Sequence, residues 1–378
     1  MTESRDPTAL RHVTGCALTP QGWVRGAVSF ASRVLSIDGE TVDAPSPGDD
    51  VVLPGFIDLH VHGGGGADIM EGEGAIERVT RLHAAHGTTA MLATTVTAGR
   101  PELERALASV KLAMGARPAG VARLLGVHLE GPYINSGKLG AQPDCGRPAS
   151  IEELRALHAI APIRVLTLAP ELAGHLEFIR ELNGMGIVAQ CGHSLGTYED
   201  GVAALMAGVK GFTHLFNAMS AMHHRAPGMV GAALAHATHA EIIPDLLHVH
   251  PRAIRAALRA IPLLYCVTDS TAAAGMPDGQ YRLGSHTVTK CLGGVRLADG
   301  TLAGSTLTMD QALRNLVDIG LDLADAARRV STYPADHIGQ ADRGRLARGA
   351  WADIVVMTPQ LKLKSVHAEG NPVELVDA

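Results

Sequence analysis

Short apolar runs rich in Val, Ile and Leu recur along most of the chain, and segments with helical periodicity separate them. Such runs, four to eight residues long, are typical of strands buried on both faces. The predicted strands cover residues 55–60, 89–95, 123–130, 163–168, 187–191, 211–214, 241–245 and 263–269. Between them, apolar residues repeat every three or four positions, as at Leu103, Leu107 and Val110, which indicates amphipathic helices. This alternation is typical of a (β/α)8 barrel, although a doubly wound open sheet shares it.

The two ends of the chain follow a different pattern. Residues 14–52 predict short β-strands broken by turn sequences such as TPQG and PSPGDD, and residues 350–378 contain AWADIVVM and further short strands. We therefore expect an α/β fold with a TIM-like barrel over residues 54–349 and a small β domain formed by residues 1–53 and 350–378. The glycine-rich stretch 275–306 predicts one or two hairpins at the mouth of the barrel.

The composition fits a folded protein with a large core. Hydrophobic residues make up 46% of the 378 residues and charged residues 19%, which argues against disorder. The net charge is −6 and no basic run occurs, so we expect neither nucleic acid nor an anionic membrane as a partner. No apolar stretch reaches transmembrane length and the N-terminus lacks a signal-like core, so we expect a cytoplasmic protein. The five cysteines are scattered without a CxxC pair, which argues against a disulfide framework and a zinc ribbon.

Six side chains that can bind a metal lie at or just after the ends of five predicted strands. They are His60, His62, Glu130, His193, His214 and Asp269. In a barrel the C-terminal strand ends form one face, where catalytic residues meet. Alternate residues of a strand share a face, so a His-Val-His sequence can direct both rings at one ion. Imidazole and carboxylate together favour zinc, iron or another divalent transition metal. Each residue alone could have a structural role, but the set predicts a metal centre.

A centre of this kind is suited to amide hydrolysis. An amide requires a strong nucleophile at neutral pH, and a metal supplies one by lowering the pKa of a bound water to about 7. Asp269, at the same mouth, could take a proton from that water and return it to the departing amine. The alternative for Asp269 is a turn or helix-capping residue before Ser270 and Thr271.

Several long sequence blocks carry a family resemblance. PGFIDLHVHGGGG (54–66), THLFNAMSAMHHRAPGMVGA (213–232), VTDSTAAAGMPDGQYRLG (267–284) and GRLARGAWADIVVM (344–357) are the longest. Together with HLEGPYIN, GHS and GTLAGSTLTMD, they resemble the amidohydrolase superfamily and, within it, the N-acetylglucosamine-6-phosphate deacetylase family. The first block indicates only an amidohydrolase, whereas HLFNAM with HHR, and AAAGMPDG, narrow the resemblance to the sugar-phosphate deacetylases. The blocks follow the family order through nearly the whole chain.

The resemblance implies a role for each matching metal-binding residue. Glu130, His193 and His214 match the main metal ligands of the family. His60 and His62 match a His-x-His pair that supports a second metal in some members and is replaced in others. We therefore expect one or two divalent ions in the site, with zinc as the first choice and iron as the second.

The resemblance also implies how the substrate is held. Asp269 matches the general acid/base, and Asn217, Ala218, Arg225 and His248 match positions that hold the sugar phosphate. In this family the arginine often comes from the neighbouring subunit, so we expect a homodimer. Without the resemblance, Arg225 could be a loop arginine in a surface ion pair, and His248 could be a packed core residue.

The chain departs from the family pattern at two places. Many members carry a histidine that contacts the acetyl group of the substrate, and this chain has Gln142 there, in KLGAQPD. An amide can donate to a carbonyl but cannot become a cation, so polarisation of the carbonyl would depend more on the metal. The sequence DLLHVH (245–250) also lacks the glycine usual before the sugar-phosphate histidine. These changes leave open which amino sugar is bound and whether it is phosphorylated.

The residues predict a metal-dependent amide hydrolase. The resemblance implies that it removes the N-acetyl group from N-acetylglucosamine 6-phosphate, or a close N-acetylhexosamine 6-phosphate, to give an amino sugar phosphate and acetate. The first alternative is another amidohydrolase that acts on an unphosphorylated N-acyl or cyclic amide substrate, for which Arg225 and His248 would have no use. The second is a non-enzymatic barrel used as a scaffold, and such a chain should have lost metal ligands.

Overall fold

The computed structural model describes residues 9–72 and 74–375. Its strands are β1 (Arg11–Thr19), β2 (Gly22–Phe30), β3 (Val34–Val42), β4 (Val51–Pro54), β5 (Phe56–Asp58), β6 (Gly63–Gly64), β7 (Ala67–Asp68), β8 (Thr88–Thr95), β9 (Arg123–Glu130), β10 (Ile163–Leu168), β11 (Val188–Cys191), β12 (Gly211–Phe212), β13 (His239–Ile242), β14 (Leu263–Cys266), β15 (Gly279–Leu283), β16 (His286–Cys291), β17 (Gly294–Arg296), β18 (Ile354–Met357), β19 (Leu363–Ala368) and β20 (Asn371–Pro372). Its α-helices are α1 (Ala75–Ala85), α2 (Arg100–Gly115), α3 (Ile151–Ile160), α4 (His175–Gly184), α5 (Tyr198–Ala207), α6 (Gly228–His236), α7 (Pro251–Ala260), α8 (Met309–Asp318), α9 (Leu323–Arg329) and α10 (Thr332–His337).

Parallel strands alternate with helices and curl into a barrel. Strands β5, β8, β9, β10, β11 and β12 are hydrogen-bonded neighbours in that order, and β13 pairs with β14. The Leu215 N–H donates to the Glu241 carbonyl at 2.9 Å, which joins the end of β12 to β13. The Asp269 N–H donates to the His60 carbonyl, also at 2.9 Å, and brings the chain after β14 back beside β5. The fold is therefore the expected TIM-like barrel.

The predicted barrel strands are all present, with one clear shift in position. Strands β9 and β10 have the predicted bounds, whereas the strand predicted over residues 241–245 is His239–Ile242. Pro244 follows its end, and proline has no N–H to extend a ladder. Every residue of β8 is buried, as expected for a parallel strand covered on both faces.

A capping box fixes where helix α5 begins, beside the site. The Thr197 hydroxyl accepts from the Asp200 N–H at 3.2 Å, and the Asp200 carboxylate accepts from the Thr197 N–H at 2.7 Å. This reciprocal capping box starts α5 directly after the loop that follows β11. The loop that carries His193 therefore has a fixed exit.

A second sheet combines the two ends of the chain, as the sequence predicts. Its order is β20-β19-β18-β4-β1-β2-β3, with β1 parallel to β4 and the other pairs antiparallel. A separate apolar cluster that includes Ala17, Val28, Phe30 and Ile354 fills one face of this sheet. Both ends of the chain therefore contribute to the small β domain.

The glycine-rich stretch also folds as expected. Strands β15, β16 and β17 form an antiparallel three-stranded sheet over residues 279–296. Leu283, at the end of β15, lines a cavity at the C-terminal ends of the barrel strands. Among the described residues, no helix is long and apolar enough to cross a membrane.

Candidate active site

Three of the predicted ligands meet in one group at the end of β9 and in the loops after β11 and β12. Glu130 Oε1 lies 3.0 Å from His193 Nε2 and 3.1 Å from His214 Nε2, and these two nitrogens are 3.2 Å apart. His193 Nδ1 lies 2.8 Å from the Lys138 carbonyl oxygen. Because a carbonyl only accepts, Nδ1 carries the hydrogen and His193 presents the Nε2 lone pair to the group.

A second group lies beside the first, at the ends of β5 and β14. His60 Nε2 and His62 Nε2 are 3.2 Å apart, and Asp269 Oδ1 lies 3.5 Å and 3.3 Å from them, respectively. Glu130 faces both groups, because its Oε2 lies 3.1 Å from His62 Nε2. The structure thus brings together all six residues that the sequence singles out, with Glu130 between two sets of donors.

The donor atoms fit divalent transition-metal ions. Within each group, three residues offer ligand atoms that all lie within 4.8 Å of one another. Two imidazole nitrogens 3.2 Å apart in a buried site repel each other unless a proton or a cation lies between them. Imidazole with carboxylate is the donor set of zinc and iron sites, whereas calcium and magnesium prefer oxygen ligands.

The charge balance of the groups also favours a cation. Burial lowers the pKa of His62, but Asp269 and Glu130 outweigh burial and raise this pKa to about 9. Burial raises the pKa of Asp269, but the charges of His60 and His62 outweigh it and lower the pKa to about 2. The pKa of Glu130 is lowered as well, since the neighbouring histidines outweigh its burial. Both carboxylates are therefore ionised, and protonated histidines or a bound cation can balance their charge.

Strained backbone carries several of these side chains. His193, His214, Ala218 and Asp269 have φ angles of 48°, 29°, 50° and 49°, in the left-handed region that L-residues avoid. Each such conformation costs on the order of 1–3 kcal/mol and persists only where surrounding contacts hold it. One such contact is the hydrogen bond from the Ser194 N–H to the Ala218 carbonyl at 3.1 Å. Strain of this kind concentrates at functional sites.

A cavity of about 200 Å³ opens over the metal-binding cluster. Its lining includes His62, Glu130, Gln142, His193, His214, Asn217, Ala218, His248 and Asp269. His248 Nδ1 lies 2.7 Å from Asp245 Oδ2, which leaves Nε2 as the ring nitrogen available to a ligand. Leu246, two residues before His248, has φ 65°, in the left-handed region that favours glycine.

Two residues predicted to bind substrate have partners within the protein. The Gln142 side-chain amide donates to Glu130 Oε2, and its carbonyl oxygen accepts from the Thr97 N–H at 2.6 Å. Arg225 is exposed, does not line the cavity and lies 2.7 Å from His224 Nε2 through its Nη1. Gln142 therefore lies at the cavity wall, whereas Arg225 is outside the cavity of its own chain.

The sequence did not single out Glu241. This fully buried carboxylate lies inside the barrel, with its Oε2 3.0 Å from His60 Nδ1. The available signal was a charged residue within the apolar strand segment AEII, since a charge is almost never fully buried unless it is paired.

Comparison with known proteins places these features in a family. A sequence model of the Amidohydrolase family matches residues 51–375. N-acetylglucosamine-6-phosphate deacetylase of Bacillus subtilis (strain 168) is 36% identical over 362 residues, which cover 92% of this chain and 90% of that protein. N-acetylgalactosamine-6-phosphate deacetylase of Escherichia coli O157:H7 is also 36% identical, over 365 residues, 94% of this chain and 96% of that protein.

Solved structures show the same architecture. The crystal structure of N-acetylglucosamine-6-phosphate deacetylase from Thermotoga maritima superposes with a TM-score of 0.89 at 33% identity, covering 97% of this chain and 100% of that chain. A mutant of N-acetyl-D-glucosamine-6-phosphate deacetylase from Mycobacterium smegmatis, in complex with N-acetyl-D-glucosamine-6-phosphate, superposes with a TM-score of 0.88 at 34% identity. That comparison covers 97% of this chain and 99% of the other.

Proposed function

The chain belongs to the amidohydrolase family, and from that membership we propose that it is a metal-dependent deacetylase of N-acetylglucosamine 6-phosphate or a close N-acetylhexosamine 6-phosphate. The observation that carries this proposal is the group of Glu130, His193 and His214 beneath a cavity that Asn217 and His248 also line. Hydrolysis would give the amino sugar phosphate and acetate.

We propose that Glu130, His193 and His214 hold one divalent ion, and that His60 and His62 with Asp269 allow a second. Zinc is our first choice and iron our second, because imidazole and carboxylate suit both. When bound there, a divalent ion supplies a nucleophilic water at neutral pH and polarises the amide carbonyl.

Asp269 is our candidate for the proton carrier. Its side chain is 12% exposed, and it lines the cavity, so a substrate can reach it. Its carboxylate is ionised at neutral pH and can take a proton from the attacking water. It can then return that proton to the amide nitrogen as the C–N bond breaks, since an unprotonated amine leaves poorly.

We assign the sugar phosphate to the part of the cavity that Asn217, Ala218 and His248 line. Gln142 lies at the wall beside Glu130, where we propose that it faces the acetyl group. Arg225 lies outside the cavity of its own chain, so we propose that it reaches the phosphate of a neighbouring subunit in a homodimer. A guanidinium suits this task because it binds phosphate through two parallel hydrogen bonds.

We also propose a domain division and a cellular location. We place the domain boundaries between residues 53 and 54 and between residues 349 and 350. The protein acts, on this proposal, in the cytoplasm on a small-molecule substrate.

Acetate release from a small substrate panel tests the function. The panel contains the N-acetyl derivatives of glucosamine, galactosamine and mannosamine, each with and without a 6-phosphate. We expect turnover only with phosphorylated sugars, and the best epimer identifies the substrate. Equal rates with and without phosphate would reject the phosphate site and favour an amidohydrolase of unphosphorylated amides.

Arg225 is tested in the same assay. We expect Arg225→Ala to raise KM for the phosphorylated sugar about 10-fold or more, because one charge-assisted pair contributes roughly 1.5–3 kcal/mol. Arg259→Ala, at an exposed arginine of α7, is the matched control and should leave KM unchanged. An unchanged KM in Arg225→Ala would remove Arg225 from the site.

A further inference from the structure

The carboxylate of Glu241 lies beneath the metal-binding cluster and does not line the cavity. Its Oε2 accepts from His60 Nδ1 at 3.0 Å and from the His214 backbone N–H at 3.1 Å. Its Oε1 accepts from Gln190 Nε2 at 2.8 Å and from the Tyr265 hydroxyl at 3.4 Å. An ionised carboxylate has about four acceptor positions and no donor. Because the backbone amide and the side-chain donors occupy them, Glu241 has no need of a proton.

This arrangement sets the tautomer of His60. A carboxylate only accepts, so His60 Nδ1 must carry the hydrogen, and its Nε2 faces His62 and Asp269 with the lone pair that a metal requires. His62 has no such support, because its buried Nδ1 has no hydrogen-bond partner among the described residues. Within this pair, Glu241 therefore sets the tautomer of His60 and does not touch His62.

Glu241 is not itself placed to be a metal ligand. His60, His128 and Glu241 do lie within ligand distance of one another. However, His128 Nδ1 lies 2.9 Å from the Leu59 carbonyl, and its Nε2 lies 2.7 Å from Thr167 Oγ1. With both nitrogens of His128 engaged, this trio lacks a third ligand.

We propose that Glu241 is the positioning residue of the second metal site: it holds His60 with Nε2 directed at an ion shared with His62 and Asp269. The inference rests on the proposed metal-dependent function and extends it to a residue outside the cavity. Glu241 acts on the second site through the His60 ring, whereas it contacts only the backbone N–H of His214. We therefore expect the ion held by Glu130, His193 and His214 to remain when Glu241 is replaced.

The barrel interior offers a matched control. The single Tyr265 O–H is shared between Gln190 Oε1 at 2.8 Å and the other oxygen of Glu241 at 3.4 Å. Tyr265→Phe therefore removes a buried hydrogen-bond donor beside the same carboxylate but leaves the contact with His60. If the packing of the barrel interior is weakened in general, Tyr265→Phe and the Glu241 variants should both bind the second ion more weakly. If only the orientation of His60 is lost, the Glu241 variants alone should do so.

The test is zinc titration of the full-length apoprotein, with the bound metal counted by elemental analysis. We expect the wild type and Tyr265→Phe to bind two zinc ions per chain. Glu241→Met should keep one ion and bind the second about 10- to 100-fold more weakly. Glu241→Gln, whose amide oxygen can still accept from His60, should lie between the wild type and Glu241→Met. Circular dichroism of each apoprotein checks that it is folded. If Glu241→Met does not fold, the affinity for the second zinc ion is compared between Glu241→Gln and Tyr265→Phe, and weaker binding in Glu241→Gln alone supports the inference.

Three results would overturn the inference: a single ion in the wild type, two ions of unchanged affinity in the Glu241 variants, or equal weakening in Tyr265→Phe. Its failure is distinct from failure of the proposed function. Substrate turnover by the wild type tests the function, whereas the number and affinity of bound ions in the variants test Glu241.

Discussion

At the scale of single residues, the site is a set of side chains whose hydrogen bonds leave particular atoms free. His193 donates to the Lys138 carbonyl and His60 to Glu241, so each has its Nε2 directed into the cluster. Gln142 bonds both Glu130 and the Thr97 N–H, and thereby fixes the carboxylate that lies between the two groups. Such outer contacts decide how well a ligand is oriented.

Asp269 is the residue whose proposed role is most directly testable. Asp269→Asn keeps the shape of the side chain but cannot take a proton, so we expect turnover to fall by at least about 100-fold. Zinc bound by Glu130, His193 and His214 should remain, as measured by elemental analysis of the purified variant. Loss of all metal together with activity would show that Asp269 is mainly a ligand.

At the scale of elements, the ends of strands and the starts of helices determine where the functional residues lie. The sequence predicted the barrel strands because a buried strand has a short apolar run, and most of them begin or end within two residues of the prediction. It could not predict the left-handed conformations of His193, His214 and Asp269. Those conformations are imposed by hydrogen bonds between loops, which no local pattern encodes.

The capping box of α5 provides a test at this scale. Thr197→Ala removes the hydroxyl that accepts from the Asp200 N–H, and we expect it to lower the free energy of unfolding by about 1 kcal/mol. Thr197→Ser keeps the hydroxyl and should be close to the wild type. The measurement is chemical denaturation of the three proteins under one condition. If alanine and serine destabilise equally, the lost methyl group rather than the cap explains the effect.

At the scale of the whole molecule, a buried ion cluster joins the barrel to the C-terminal segment. Glu369, which follows β19, accepts from Arg117 at 2.6 Å and from Arg123 at 2.7 Å, and it also pairs with Arg343. Burial raises the pKa of Glu369, but these arginines outweigh burial and lower the pKa to about 2. The cluster thus connects Arg117 and Arg123, near the start of β9, with Arg343, which precedes β18, and Glu369, which follows β19.

This pairing predicts an acid-dependent loss of stability. A carboxyl whose pKa is lower in the folded state stabilises fully above its unfolded pKa of about 4.3, and the contribution disappears as pH falls towards 2. We expect Glu369→Gln to be less stable than the wild type at pH 6, with the difference shrinking between about pH 4.5 and 2. Thermal unfolding across this range measures it, with the exposed Glu177→Gln as the control. A constant difference at all pH values would show that packing, not charge, is lost.

The sequence by itself determined the alternation of strands and helices, the small β domain built from both ends of the chain and the six residues of the metal-binding cluster. The alternation predicted a barrel, although it also suits a doubly wound sheet. Strand periodicity is local, and the chemistry of a side chain does not depend on the fold, so both can be read along the chain. The six residues could be predicted to meet because they lie at strand ends, and the parallel strands of a barrel end on one face.

Only the tertiary structure decided which buried groups support that cluster and which predicted residues stay outside the cavity. Glu241 reaches His60 across 181 positions of sequence, and the contact exists because closure of the barrel brings β13 near β5, with only β14 between them in the strand order. Arg225 lies on an exposed loop and does not line the cavity of its own chain. Contacts of this kind follow from closure of the barrel, and neither periodicity nor residue type specifies them.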